Sequence, residues 1–526
     1  MNALRSRSLS AGGRTVPAGV KTILRRGRNC WRISRAREAG LLVDGRSYYR
    51  AFCNAAWQAR RYVLLAGWQF DTELQLLRGD DAAPPAWFLP FLNALCERTP
   101  GLRVYILAWD FSVFYSLKRE FLQSLQFAWK SRAGIQFRFD SSHPLGASHH
   151  QKFVVVDGRV AFVGGMDLCQ GVWDDRLHCA ENALRVHPDG KPYPPRHDVQ
   201  ACVTGRVAWR LARLFARRWR RSGGGRLWLR PPVRRAVGVP TDLPPAGHPV
   251  AISRTQGEML VPRQKPIMEV RRLFLDAIAA AESLLYIEQQ YFAAQAVYMA
   301  LVERMRAVDR PRLQIVMLLP RQPEALIEEI GLASVQAEYL HNLTDVAAQT
   351  GHALGIYNTR AGGDNPDGTR TFIHAKLLIA DDRFLTVGSA NFSNRSMGFD
   401  SELNLAWEAP LPRHRALAES IRTTRVDLLA EHCGLKRATD RQRLAEVKGL
   451  VTYLDTLADH PDYRLCHHSI DQSRVHEWAA HLGLHDLIID PEKSALAEKV
   501  DGLIAADENG LFAKGISFLN QHLFLK

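Results

Sequence analysis

Two histidine–lysine pairs carry the chemistry this sequence could do. His150 and Lys152 open a stretch that runs on through Asp157 to Gly164-Gly165. His374 and Lys376 open a second stretch, 224 residues later, that runs through Asp381 to Gly388-Ser389 at the same spacing. Histidine titrates near neutrality, so one imidazole can attack an electrophilic centre as a neutral base while another, protonated, supplies the leaving group with its proton. A lysine two residues from each histidine suits the holding of anionic oxygens. The offset is too long for a solenoid repeat, so a whole domain reads as duplicated, each copy keeping one pair.

Short apolar runs follow both pairs, Phe153-Val154-Val155-Val156 and Leu377-Leu378-Ile379-Ala380. Such runs have the character of buried strands. Alternation along a strand puts His150 and Lys152 on one face, and likewise His374 and Lys376. Asp157 and Asp381 fall seven residues after the histidines, an odd step at the end of each run. Asp157-Gly158 is a hairpin-turn signal ahead of a strand over 160–163. This phase makes both aspartates structural more than chemical.

The elements that must position these residues alternate. In the first half the pattern predicts helices over 48–59, 90–98 and 117–130, with strands over 62–66, 103–108 and 136–139. In the second it predicts helices over 266–281 and 324–349, with strands over 284–288, 313–318 and 354–357. That order implies an α/β fold with a mixed, largely parallel sheet covered by helices. Two such lobes back to back would bring His150 and His374 together at their interface.

The organisation expected is a basic, disordered arm over 1–28, a lobe over 29–221, a Gly/Pro-rich linker over 222–250, a second lobe over 251–437 and a helical extension over 438–526. Composition sets outer limits. The chain has 526 residues, 46% of them hydrophobic and 23% charged, and a net charge of +15. This is globular composition with a bias toward anionic partners. The eight cysteines are scattered without a CxxC pair, so they are expected to be reduced. No run is long enough to span a bilayer. The arm lacks the apolar core of a secretory signal, so the expected location is cytoplasmic, peripheral on a membrane, with export independent of a signal left open. His467-His468 reads as an ordinary surface pair, not a metal site.

The two stretches resemble the paired HxKxxxxD motifs of the phospholipase D superfamily. The family's GGxN or GSxN element is met by Asn391 in Gly388-Ser389-Ala390-Asn391, whereas the first copy has Asp167 at the matching place. Tyr286-Ile287-Glu288-Gln289-Gln290-Tyr291-Phe292 is similar to the family's IYIENQYF block, and Glu431-His432 with Gly434-Leu435 to its EHLG segment. Trp173-Asp174 and His197-Asp198-Val199 also have counterparts there. The resemblance covers roughly residues 29 to 437.

The resemblance implies two pseudo-symmetric lobes, each a mixed β-sheet flanked by helices, with the active site at their interface. It implies phosphodiester cleavage of glycerophospholipids through a phosphohistidine, giving phosphatidic acid and free head group, with water or an alcohol as acceptor. His150 would be the nucleophile and His374 the general acid. Lys152, Lys376 and Asn391 would hold the phosphoryl oxygens, and Asp157 and Asp381 complete the motifs. The resemblance pairs Asp198 with His150 and Glu402 with His374. No metal or cofactor is expected, and the partner expected is a phospholipid surface, anionic by preference, rather than nucleic acid. Arg206, Arg210, Arg213, Arg217 and Arg220 recur at helical spacing opposite Ala208, Leu211, Phe215 and Trp219, as a solvated face or a contact for anionic head groups. Three other readings stay open: a cardiolipin synthase-like phosphatidyltransferase, a nuclease with the same motifs, and a silent membrane- or anion-binding scaffold.

Overall fold

The computed structural model describes residues 22–109, 134–232, 238, 248–259, 263–321, 327–365, 367–410, 412–468 and 490. The helix expected over 117–130 and the arm before residue 22 lie outside the described residues.

Apolar β-branched runs make the strands. In the first half they are β1 (Arg32–Val43), β2 (Tyr62–Gly67), β3 (Arg103–Trp109), β4 (Ile135–Asp140), β5 (Phe153–Val156), β6 (Val160–Gly164), β7 (Arg196–His197) and β8 (Val199–Gly205). In the second they are β9 (Pro249–Gln256), β10 (Ile267–Met268), β11 (Leu284–Glu288), β12 (Gln314–Leu318), β13 (Ala353–Arg360), β14 (Arg370–Ile373), β15 (Leu377–Ala380), β16 (Phe384–Gly388), β17 (Glu402–Glu408) and β18 (Leu465–His467).

The first sheet runs β4-β3-β2-β5-β6-β8-β1. The second repeats the order as β13-β12-β11-β15-β16-β17-β9. Each sheet has three parallel strands at one side and antiparallel neighbours from there on, so the sheets are mixed but not largely parallel. The reason is local. The turns after Val156 and Ala380 are too short for a crossover helix, and a short turn can only reverse the strand.

β1 joins the two sheets. Its first part, Arg32 to Arg35, pairs with β9, and from Ala36 on it pairs with β8, with a register shift between Ala36 and Ala39. Residues just ahead of β1 are also held, although the sequence reading assigns them to a disordered arm. Ile23 and Leu24 donate their N–H groups to Glu408, and the Arg28 guanidinium meets Asp276. At the other end, β18 adds antiparallel to β13, so the start of the helical extension completes the second sheet.

Both sheets are buried on both faces. The helices Asp44–Trp57 and Phe88–Arg98 cover the outer face of the first. The helices Glu269–Ala280, Gln295–Arg306 and Ile327–Thr350 cover that of the second. Between the sheets lies a shared core, to which the helices Arg206–Arg221 and Arg415–Cys433 contribute one face each. Arg218 on the first of these helices is buried and reaches Asp140 at 3.0 Å and Gln151 at 3.2 Å, while Arg206, Arg213, Arg217 and Arg220 are exposed. All eight cysteines are free thiols. Among the described residues no helix is long and apolar enough to cross a membrane.

Candidate active site

The two motifs meet because the lobes exchange short backbone pairings just before the histidines. His149 bridges Ser401 in parallel and the His150 N–H donates to the Ser401 carbonyl. In mirror fashion Ile373 pairs with His197 and the His374 N–H donates to the His197 carbonyl. Each histidine is thereby delivered to the residue just ahead of the other lobe's carboxylate.

This exchange overturns the same-lobe pairing expected from sequence. His150 Nδ1 lies 3.0 Å from Glu402 Oε2, and His374 Nδ1 lies 2.6 Å from Asp198 Oδ2. The partners are 252 and 176 residues apart. An ionised carboxylate only accepts, so each Nδ1 carries the hydrogen and each Nε2 is left for a substrate.

The carboxylates are themselves held. Glu402 is fully buried and accepts from the hydroxyls of Ser389 and Ser396. Asp198 accepts from the Val199 N–H at 2.7 Å. Gly165, the counterpart of Ser389, is needed for space, because a Cβ there would come within 2.5 Å of the Asp198 carboxylate. The Gly-Gly and Gly-Ser pairs seen in the sequence thus serve the carboxylate of their own lobe, one by room and the other by a hydrogen bond.

The lysines have unlike company. Lys152 is ion-paired with Asp167 at 2.8 Å. Lys376 donates to Gln290 Oε1 at 2.9 Å and to the His374 carbonyl. Asn391 is 8% exposed and its amide oxygen has no hydrogen-bond partner among the described residues.

Burial dominates the electrostatics. It holds His374 well below the ordinary histidine value, aided by Arg196, Lys376, Lys152 and His150. It brings Lys376 down to about 7 and raises Asp198 to about 6.

Asp157 and Asp381 do not belong to this site. Asp157 accepts from the N–H groups of Arg60, Arg61 and Tyr62, fixing the entry to β2. Asp381 does the same for Glu282, Ser283 and Leu284 ahead of β11. Both have positive φ, 52° and 54°, at the turn into the next strand. Their inclusion with the motif's reacting groups is corrected, and their structural reading from strand phase agrees with the geometry.

Beneath Asp198 and His374 lies a buried polar cluster for which the sequence reading had no role. His178 Nε2 is 3.1 Å from Glu431 Oε1 and 3.3 Å from Asp44 Oδ2, and its Nδ1 is 2.9 Å from Asp174. His197 Nδ1 is 3.1 Å from Glu431 Oε1, and its Nε2 is 3.0 Å from Glu288, which also meets His432 at 3.2 Å. Burial alone would lower His178, but Asp44, Asp174 and Glu431 outweigh it and raise it to about 9. Two groups have donor atoms within 4.8 Å of one another and so could hold a metal ion: Asp44, His178, His197 and Glu431, and then His197, Glu288 and His432. The Asp198 N–H donates to Asp44, so the cluster sets the height of the carboxylate that meets His374. Glu288, Glu431 and His432 stood in the motif blocks quoted above; Asp44 and His178 had no local signal. His467 instead meets Asp459 at 3.0 Å and His468 the Pro320 carbonyl at 3.2 Å, and neither belongs to a metal-competent group among the described residues.

A family model described as Phospholipase D matches residues 55–236, and one described as Cardiolipin synthase, PLD-like domain matches 274–423. The chain is similar to phospholipase D alpha 1 of Zea mays, 24% identical over 536 residues, covering 75% of this chain and 65% of that one. It is also similar to phospholipase D1 of Schizosaccharomyces pombe, 26% identical, covering 78% of this chain and 36% of that one. The match thus spans less than two thirds of these relatives' length. A crystal structure of phosphatidylserine synthase from Haemophilus influenzae aligns with a TM-score of 0.47 at 12% identity, covering 81% of this chain and 94% of that one.

Proposed function

The chain belongs to the phospholipase D superfamily, and from that premise we propose that it cleaves glycerophospholipids on the head-group side and passes the phosphatidyl group to water or an alcohol. The observation that carries this reading is the crosswise pair of imidazoles, each with Nδ1 on the opposite lobe's carboxylate. One Nε2 attacks phosphorus, and the P–O bond to the head group breaks as the other Nε2–H gives its proton to the leaving alkoxide. The second imidazole, now neutral, takes a proton from water or alcohol, whose oxygen attacks phosphorus and frees the first. Lys152 and Lys376 hold the non-bridging oxygens throughout, with Asn391 as a neutral donor.

His150 is assigned as the nucleophile and His374 as the acid, which is the family's order. One observation favours the reverse. Burial keeps His374 neutral, and a neutral imidazole is the attacking form. A bound phosphodiester adds a negative charge beside His374 and so draws a proton back to it, which reconciles the first order with the site.

Support for lipid as substrate comes from the relatives' names. Support for an anionic surface comes from a crowd of guanidinium groups. Arg217 and Arg254 stack on Trp31 at 4.5 and 4.7 Å, with Arg32 at 5.4 Å. The family model over 274–423 favours a phosphatidyltransferase as the second reading. One assay separates them: purified protein on mixed phospholipid vesicles, with and without a primary alcohol. Release of head group with phosphatidic acid, diverted to phosphatidyl-alcohol when alcohol is present, is expected. Transfer only to another phospholipid would establish the second reading, and cleavage of single-stranded DNA with no lipid turnover would refute both.

A further inference from the structure

The two lysines occupy equivalent places in the two lobes, yet their surroundings differ in charge. Asp167 and Asn391 each follow their lysine by 15 residues. Trp68 and Gln290 are also equivalent, each two residues beyond the strand position that faces the first residue of β5 or β15. Lys376 donates to the neutral Gln290 amide, and the position of Asp167 is taken in this lobe by the neutral Asn391. Around Lys152 the companions are a carboxylate, 2.8 Å from the ammonium, and the Trp68 indole, 5.9 Å away.

The carboxylate is built in. Its second oxygen accepts from the Trp68 N–H at 3.0 Å, and Asp167 is 8% exposed. Gly67 makes the space, since a Cβ there would come within 2.5 Å of that same oxygen. Asp167 therefore cannot swing away when an anion arrives at Lys152.

We propose that Asp167 makes this site select monoanionic phosphodiesters over dianionic phosphomonoesters. A ligand oxygen and a carboxylate held by one ammonium lie within two hydrogen-bond lengths, about 6 Å. At that distance, with an effective dielectric constant of ~20, each unit of ligand charge loses affinity by roughly a hundredfold. A diester carries one charge and a monoester nearly two above neutral pH, so the penalty falls twice on the monoester. On the reading given under Proposed function the monoester is the product, phosphatidic acid, and Asp167 then speeds its departure and limits product inhibition.

The test is binding, read apart from turnover. The whole purified chain is titrated at pH 8 with inorganic phosphate and, separately, with dimethyl phosphate, by 31P NMR. Asp167→Asn, which keeps the shape and an acceptor for Trp68, should tighten phosphate at least tenfold more than dimethyl phosphate. Asn391→Asp, which puts a carboxylate at the equivalent position of the other lobe, should shift the ratio the opposite way. An unchanged ratio in both variants, or an equal change for both anions, overturns the proposal and leaves Asp167 as a mere prop for Lys152. Wild-type protein that shows the selectivity but turns over no phospholipid upholds the charge selection and refutes the lipid substrate.

Discussion

Crosswise support of the histidines makes a prediction that does not depend on which of them attacks. Glu402→Gln removes a buried charge that touches His150 at 3.0 Å, and Asp198→Asn one that touches His374 at 2.6 Å. Breaking a buried pair of this kind costs about 3–5 kcal/mol. If that loss falls on the transition state at 1.36 kcal/mol per tenfold, it slows the step served by that histidine by roughly 10²–10⁴-fold. The assay uses two substrates, a phospholipid and an activated phosphodiester whose leaving group needs no proton. The histidine that attacks is needed for both, whereas the acid is needed only for the first. With the family's order, His150→Ala and Glu402→Gln should lose both activities and form no protein adduct by intact mass. His374→Ala and Asp198→Asn should lose lipid turnover yet still accumulate the adduct with the activated diester, mapping to His150. If the order is reversed the adduct maps to His374, but Glu402→Gln must still sort with His150→Ala. Should Glu402→Gln instead behave like His374→Ala, the crosswise pairing is wrong.

Burial that raises Asp198 to about 6 means the fold disfavours its charged form, against an ordinary value of 3.8. Its contribution is favourable below 3.8 and is lost as the pH rises through 6, so wild type should lose roughly 1–3 kcal/mol of stability between pH 4 and pH 7 in thermal denaturation, a pH dependence that Asp198→Asn should not show. Fragments 1–245 and 246–526 should each be inert, because His150 and His374 each take their carboxylate from the other half; robust turnover by either would contradict a shared site. Binding to anionic vesicles should weaken from 0.05 to 0.5 M salt, since exposed arginines are screened over about 10 Å at 0.1 M, and replacing Arg213 and Arg217 by glutamine should remove most of that salt dependence in a sedimentation assay.

The motifs were legible because they are local. His150-x-Lys152 and His374-x-Lys376 lie on the edge of apolar runs, and strand alternation alone places each pair on one face. β11 was read to the residue, and the turn role of Asp157 and Asp381 followed from their odd step along the strand. The duplication was visible for the same reason, since equal spacing survives in one dimension.

What spacing cannot hold is which copy serves which. A duplicated chain offers two pairings of histidine and carboxylate that look alike on paper, and only the exchanged backbone bridges at Ser401 and His197 decide for the crosswise one. Burial is likewise a tertiary property. Asp44 is a member of an ionic cluster because Glu431, far along the chain, folds over it, and Arg218 turns inward from its helix to meet Asp140. A charge in a sequence has a sign and a position. Whether it meets water, a partner or a substrate is settled by the packing of segments hundreds of residues apart, through the cost of burying it alone.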